Sequence, residues 1–435
     1  MTTLYWFRND LRLHDNPALH QACQQAEHVL PVILADQTEL SVTPWGFARQ
    51  GPHRTAFRWQ AAKGLSESLK ARGSTLLCPP EPGLEGLLHF AQRHGVKQVV
   101  CEAIDAPSEQ ADIEHLKAAG LKVTSIDQST LLPMDELPFE ARATPTVFTA
   151  FRQAIEKAGT QPKAPLLAPD TLPGLPDGVD AADFWQARDE TRVPAPMGPA
   201  VPRGSFPYSE AQWQGSEACA LAHVARYFES GLPRLYKTTR NGLMGTDYST
   251  KFSPWLAIGA LSPRTIWSAL RAHEASQGPS DGSYWIWFEL LWRDHFRLMM
   301  RRFGSQLFAP RGLASKPHLP NKHDPQRLAL WIKGQTGQPF VDAGMRELNM
   351  TGYLSNRLRQ NVASYLIHEM QCDWRAGAAW FEHALIDYDV SSNQGNWAYI
   401  AGVGTDPRGG RRFNVAKQAK DYDQHGEYQH YWSDV

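Results

Sequence analysis

Cysteine is scarce: Cys23, Cys78, Cys101, Cys219 and Cys372 are the only five in 435 residues, and no CxxC or His-paired spacing joins them. That excludes a disulfide framework and a structural zinc site. Buried free thiols in a reducing, cytoplasmic setting are expected instead. Long apolar runs are also missing. The nearest, YWIWFELLW (284–292), is too short to cross a bilayer and contains Glu289, so no membrane role is expected. No GxGxxG follows the first strand-like segment and no P-loop occurs, which removes the dinucleotide fingerprint and the common nucleotide cradle. Nothing matches a nucleophilic triad or a metal-ligand spacing, so no metal is expected. No secretory leader is visible, because a strand-like run starts at once with Arg8, Asp10 and Arg12 close behind.

Tryptophan and arginine are what the chain does have. Fifteen tryptophans are many for this length, and each buried indole N–H needs a partner, so they imply stacking sites or a large core. The net charge of −1 hides an asymmetry: residues 201–435 carry 26 Lys and Arg against 21 Asp and Glu. Only seven of those cations are lysine, and arginine suits bidentate recognition of phosphate and carboxylate.

Residues 1–130 alternate strand-like runs (4–7, 29–35, 74–78, 97–101, 121–126) with helical stripes such as Phe57, Ala61, Leu65 and Leu69. Such alternation predicts an α/β domain with a doubly wound parallel sheet. RNDLRLHDN (8–16) follows the first strand, at the sheet end where ligands of such folds bind. Residues 131–210 are expected to be an interdomain connector, since ten prolines fall between Pro162 and Pro207. Residues 211–435 read as an all-α domain. Ser253–Pro254 and Ser262–Pro263 mark two helix starts, with serine as cap and proline in the first turn.

Three stretches carry chemistry. In YKTTRNGLMGTDYSTKFSPW (236–255), Ser249, Thr250, Lys251 and Ser253 precede a helix N-terminus, which makes either a phosphate site or a local capping cluster. In YWIWFELLWRDHFRLMMRR (284–302), Glu289, Trp292 and Arg293 fall at helical spacing. A carboxylate among tryptophans is either a satisfied core acid or a reader of a stacked base's polar edge. Between 346 and 400, Asn356, Arg357, Arg359, Gln360, Trp374, Asp387, Asp389, Asn393 and Trp397 alternate with apolar helical spacing. An ion-pair-laced bundle fits that pattern, and so does a site for a large, planar, polyanionic ligand.

These stretches, with WFRNDLRLHDNPAL, NRLRQNVAS, NWAYIAGVG and FNVAKQAKDYDQHGEY, resemble the photolyase/cryptochrome family, its DASH-type cryptochromes in particular. The resemblance spans nearly the whole chain except 140–205. It implies an antenna-type α/β domain and a helical domain holding FAD in a U shape. By motif, Tyr236, Ser249, Thr250, Lys251, Phe252, Ser253, Arg293 and Arg359 are expected to contact FAD. Asp387 and Asp389 are expected to meet its adenosine and isoalloxazine parts, and Asn393 to lie by the reactive flavin nitrogen. Arg240, Glu289, Trp292, Asn356, Arg357, Gln360, Tyr399 and Gln418 fall where the family contacts a flipped lesion or the DNA backbone.

The implied reaction is blue-light-driven repair of cyclobutane pyrimidine dimers by electron transfer from reduced flavin, by a monomer. Gln360 and Tyr399 stand where many duplex-active members have methionine and tryptophan, a pattern that goes with single-stranded DNA, where unstacking is cheap. The alternative is a photoreceptor that signals without repair. Trp397 and Trp374 match the first two members of the family's electron relay. Asn321 occupies the third position, with Trp331 or a tyrosine as a substitute. Glu369 is expected at the position of Arg359's acidic partner. A folate-type antenna is expected near Asp105 and Glu109.

Overall fold

A computed structural model describes residues 2–35, 41–185, 204–315 and 323–433. The first domain is built on four parallel strands, β1 (Thr2–Phe7), β2 (His28–Ile33), β3 (Gln98–Glu102) and β4 (Lys122–Ile126), in the order β2-β1-β3-β4. Tyr5, Phe7, Val29 and Val100 belong to one buried cluster, while Leu4, Trp6, Leu30, Val32 and Val99 belong to another. Both faces are therefore covered, which is why these strands read as continuous apolar runs rather than as alternation. The stripe Phe57, Ala61, Leu65, Leu69 lies in the helix Pro52–Lys70, and all four are fully buried.

The run 74–78 does not join the sheet as a fifth strand. Leu77 makes isolated bridges to Val32 and Phe184. On that side Pro31 of β2 accepts from Leu77 N but has no N–H to give, and Pro79–Pro80 end the run. The expected connector is not bare either, since it contains the helix Phe148–Ala158. Cys78, Cys101 and Cys372 are buried, whereas Cys23 and Cys219 are only partly so. Among the described residues no helix is long and apolar enough to cross a membrane, and no His/Cys/Asp/Glu group could hold a metal.

Helices make up the second domain. The longest, Asp281–Phe303, is capped at Ser280 by a reciprocal box with Ser283. The segment after β1 works mainly as a seam between the domains. Asp10 accepts from Tyr5 and Gln128, Leu11 N donates to Ile258 O at 3.2 Å, and an Arg12 guanidinium nitrogen donates to Gly259 O at 2.8 Å. Arg264 pairs with buried Asp15 at 2.9 Å. Only Arg8 and Asn9 of this stretch reach open space at the sheet end. Gly259 has φ +68°, and a Cβ there would run into the Asn9 carbonyl. Gly259→Ala should therefore cost about 2 kcal/mol or more in a denaturant titration, through strain and overpacking together. A wild-type midpoint would show that the seam tolerates the methyl group.

Candidate functional site

Two adjoining cavities open in the helical domain. The larger, of about 590 Å³, is lined by Tyr236, Arg240, the loop 248–253, Glu289, Trp292, Arg293, Tyr353 and Tyr399. The smaller, of about 100 Å³, is lined by Arg359, Phe381, Asp387, Asp389, Asn393 and Trp397. Asn356, Gln360, Ser392, Asn396 and Ile400 line both. Residues from positions 236 to 413 thus converge on one region, because the helices 281–303, 356–368 and 390–401 pack around it.

The two spaces are tied together at Asp387. Its Oδ2 accepts from Ser253 Oγ at 2.7 Å and from an Arg359 guanidinium nitrogen at 2.8 Å. Its Oδ1 is buried without a protein partner. An open acceptor of that kind fits a ligand N–H or hydroxyl. Two expectations change here. Arg359's acidic partner is Asp387, not Glu369, which is exposed and pairs with Arg412. Ser253 is not a helix cap: it is the first residue of the five-residue helix Ser253–Ala257, and its hydroxyl goes to Asp387 instead. So short a helix sums few peptide dipoles, so an anion there relies on hydroxyls and loop N–H groups.

Lys251 lines the larger cavity, but its ammonium group is turned inward. Its side chain is 1% exposed, and its Nζ sits 3.3 Å from the Tyr248 ring centroid and 4.9 Å from that of Tyr353. No hydrogen-bond partner meets it, and burial pushes the ammonium well below its usual range. The lysine is held in an aromatic cage, on backbone with φ +57°, rather than extended toward a phosphate.

Asp389 is engaged by Arg297 at 2.6 Å and caps the helix Val390–Ala401 through Ser392 N. Burial alone would raise its carboxyl, but Arg297, Arg293 and the Ser392 N–H hold it far below the carboxylate range. Arg293 donates to Ser129 O, and burial lowers its guanidinium to about 9. Asn393 Nδ2 donates to Ala378 O at 3.1 Å. Phe252 lines the larger cavity but packs edge-on against Tyr227 and His223, and Tyr236 is buried.

On the outer side, Glu289 pairs with Arg240, whose guanidinium lies 4.4 Å over the Trp285 ring. Burial raises the Glu289 carboxyl and Arg240 draws it back. Tyr399 meets Trp292 edge-on at 5.9 Å, and its hydroxyl accepts from Arg411 at 2.7 Å. Arg357 and Gln418 do not line either cavity. Arg357 instead donates to Gln360, Gln418 and Asn241, a chain running outward from the shared wall.

Trp397 and Trp374 are 2% and 1% exposed, in one cluster. Trp331 lies 6.2 Å from Trp397, edge-on, but is fully buried, so it cannot be an outer terminus exposed to solvent. Asn321 lies outside the described residues. A third cavity, of about 460 Å³, lies where the α/β domain meets the helical domain: Trp6, Arg8, Arg54 and Glu109 line it from one side, Ile258 and Tyr388 from the other. Asp105 is not part of it, because Arg301 holds its carboxylate at 2.8 Å.

Sequence reasoning missed Tyr248, Tyr353, Arg297 and Arg411. The spacing of Arg293, Arg297 and Arg301, four apart on one helix, was a readable stripe. The aromatic residues carried no such signal.

Residues 3–170 match the DNA photolyase family, and residues 285–434 match the FAD binding domain of DNA photolyase. The cryptochrome DASH of Xenopus laevis is 42% identical over 98% of this chain and 81% of its own length. That of Synechocystis sp. is 41% identical over 99% of this chain and 87% of its own. A crystal structure of Synechocystis cryptochrome superposes with a TM-score of 0.89 at 39% identity, covering 99% of this chain and 88% of that one. A class III photolyase from Agrobacterium tumefaciens gives a TM-score of 0.79 at 27% identity, covering 99% and 86%. With both halves matched and relatives this similar along its length, the chain belongs to the DNA photolyase/cryptochrome family.

Proposed function

We propose that the joined cavities hold FAD and that the protein repairs cyclobutane pyrimidine dimers in single-stranded DNA under blue light. The observation that carries this is the shared wall. Asn356 and Gln360 line both the Asp387–Asn393 space and the Glu289–Trp292 space, so a flavin and a flipped base could meet there. Reduced flavin supplies a light-excited electron donor; the protein's part is to place donor and dimer together and keep water out. Ser249 and Thr250 offer hydroxyls to a diphosphate. The Asp387 Oδ1 acceptor and the Arg359 cation, already ordered by each other, meet the polar flavin edge. Glu289 accepts from a thymine edge and Trp292 flanks it. The cavity between the domains, with Glu109 in its wall, is the place for an antenna chromophore.

One observation favours the photoreceptor reading: the Glu289 carboxylate is already engaged by Arg240. Repair assays separate the two. Reduced protein under blue light should restore the thymine absorbance of dimer-containing oligo(dT). Glu289→Gln, which loses a charged acceptor, should slow this about tenfold or more. A yellow, photoreducible wild type that leaves the dimers intact would instead establish the sensor.

A further inference from the structure

Trp292 does not stand alone at the mouth of the larger cavity. Phe148, the first residue of the helix Phe148–Ala158, lies face to face with it, with ring centroids 3.7 Å apart and planes 9° apart. Phe148 is 6% exposed and does not line the cavity, so it acts only from behind. It also meets Phe288, another wall residue, edge-on at 5.0 Å.

The segment carrying Phe148 is clamped along the helix Asp281–Phe303 at several levels. Arg302 donates to Thr144 O, and His295 Nε2 to Pro145 O at 3.1 Å. Arg152 donates to the Tyr284 hydroxyl at 2.8 Å, and that hydroxyl donates to Glu156 at 2.9 Å. His295 closes the pocket edge-on to Phe148 at 5.7 Å. Phe148 therefore cannot slide from the indole, and the indole cannot turn without breaking the stack.

We propose that Phe148 is a positioning residue for Trp292: it fixes the indole so that the side lining the cavity receives a pyrimidine dimer. This rests on the repair reading above. A free half-buried indole would have to be ordered anew at each binding event, whereas a stacked one is ordered beforehand.

The test measures affinity for dimer-containing oligo(dT), repair yield per absorbed photon at saturating DNA, and flavin absorbance. Phe148→Ala and the less truncating Phe148→Leu, which stays apolar but loses the ring, should weaken affinity about five- to tenfold. Yield at saturation and flavin content should stay as in wild type, and Phe148→Tyr should restore affinity. Should Phe148→Ala fail to fold, Phe148→Leu carries the comparison. Unchanged affinity in Phe148→Leu, no rescue by tyrosine, or loss of flavin in step with affinity would each overturn the proposal. A wild type with no preference for damaged over intact oligo(dT) would instead remove the repair reading, and this proposal with it.

Discussion

Asp387→Ala should purify colourless. The carboxylate is 2% exposed as a side chain and holds two groups at once, the Ser253 hydroxyl and the Arg359 guanidinium. Arg359 otherwise donates its Nε to Leu354 O at 2.7 Å and lies 5.4 Å from the Tyr353 ring centroid, neither of which supplies a negative charge. Removing the acid leaves a largely buried cation unpaired, at a cost of about 3 kcal/mol, below the top of the range for buried pairs because 22% of the arginine side chain reaches solvent. It also removes a buried carboxylate oxygen that has no protein partner, from a residue lining the smaller cavity. Stability and flavin content should fall together. Asp387→Asn keeps the shape and a bond to Ser253 but not the charge, so it should lie between. Visible absorbance per mole of purified protein decides the matter, and an Asp387→Ala variant as yellow as wild type would be incompatible with this cofactor site.

Trp397→Phe should bind flavin normally yet lose most of its photoreduction. Trp397 lines the smaller cavity beside Asn393 and packs edge-on against Phe381 at 5.0 Å. Gly377, one turn along from Trp374 in the helix Trp374–Ala384, has no side chain because the Trp397 ring lies against its backbone. The indole is thus pinned between the smaller cavity and the helix bearing Trp374. Phenylalanine fills much of the same volume and keeps the edge-on contact, but it lacks an oxidisable indole. Steady blue illumination with an external reductant, followed by the flavin spectrum, checks this. Wild-type kinetics would mean that electrons arrive by a route avoiding Trp397.

Much of the fold was legible because its signals are local. The apolar runs of β1 to β4, the stripe of the helix Pro52–Lys70 and the Ser262 cap of the helix Pro263–Gln277 each depend on neighbours within a few residues. The exceptions depended on distant chain. Residues 74–78 look strand-like, but a full ladder needed an N–H that Pro31 lacks. Ser253 looks like a cap, but an acid 134 positions later claims its hydroxyl. Glu369 is near Arg359 along the chain, while the true partner Asp387 comes from beyond the next helix.

What the linear chain determined by itself was the kind of chemistry: hydroxyls, arginines, paired acids and indoles in an order specific enough to identify the family. Only tertiary packing decided which charges neutralise one another, that Lys251 ends in an aromatic cage, and that Phe148 backs Trp292 from 144 positions away. The physical reason is reach. Propensity and periodicity act over one or two turns, whereas ion pairing and ring stacking need only proximity in space, which the whole core sets.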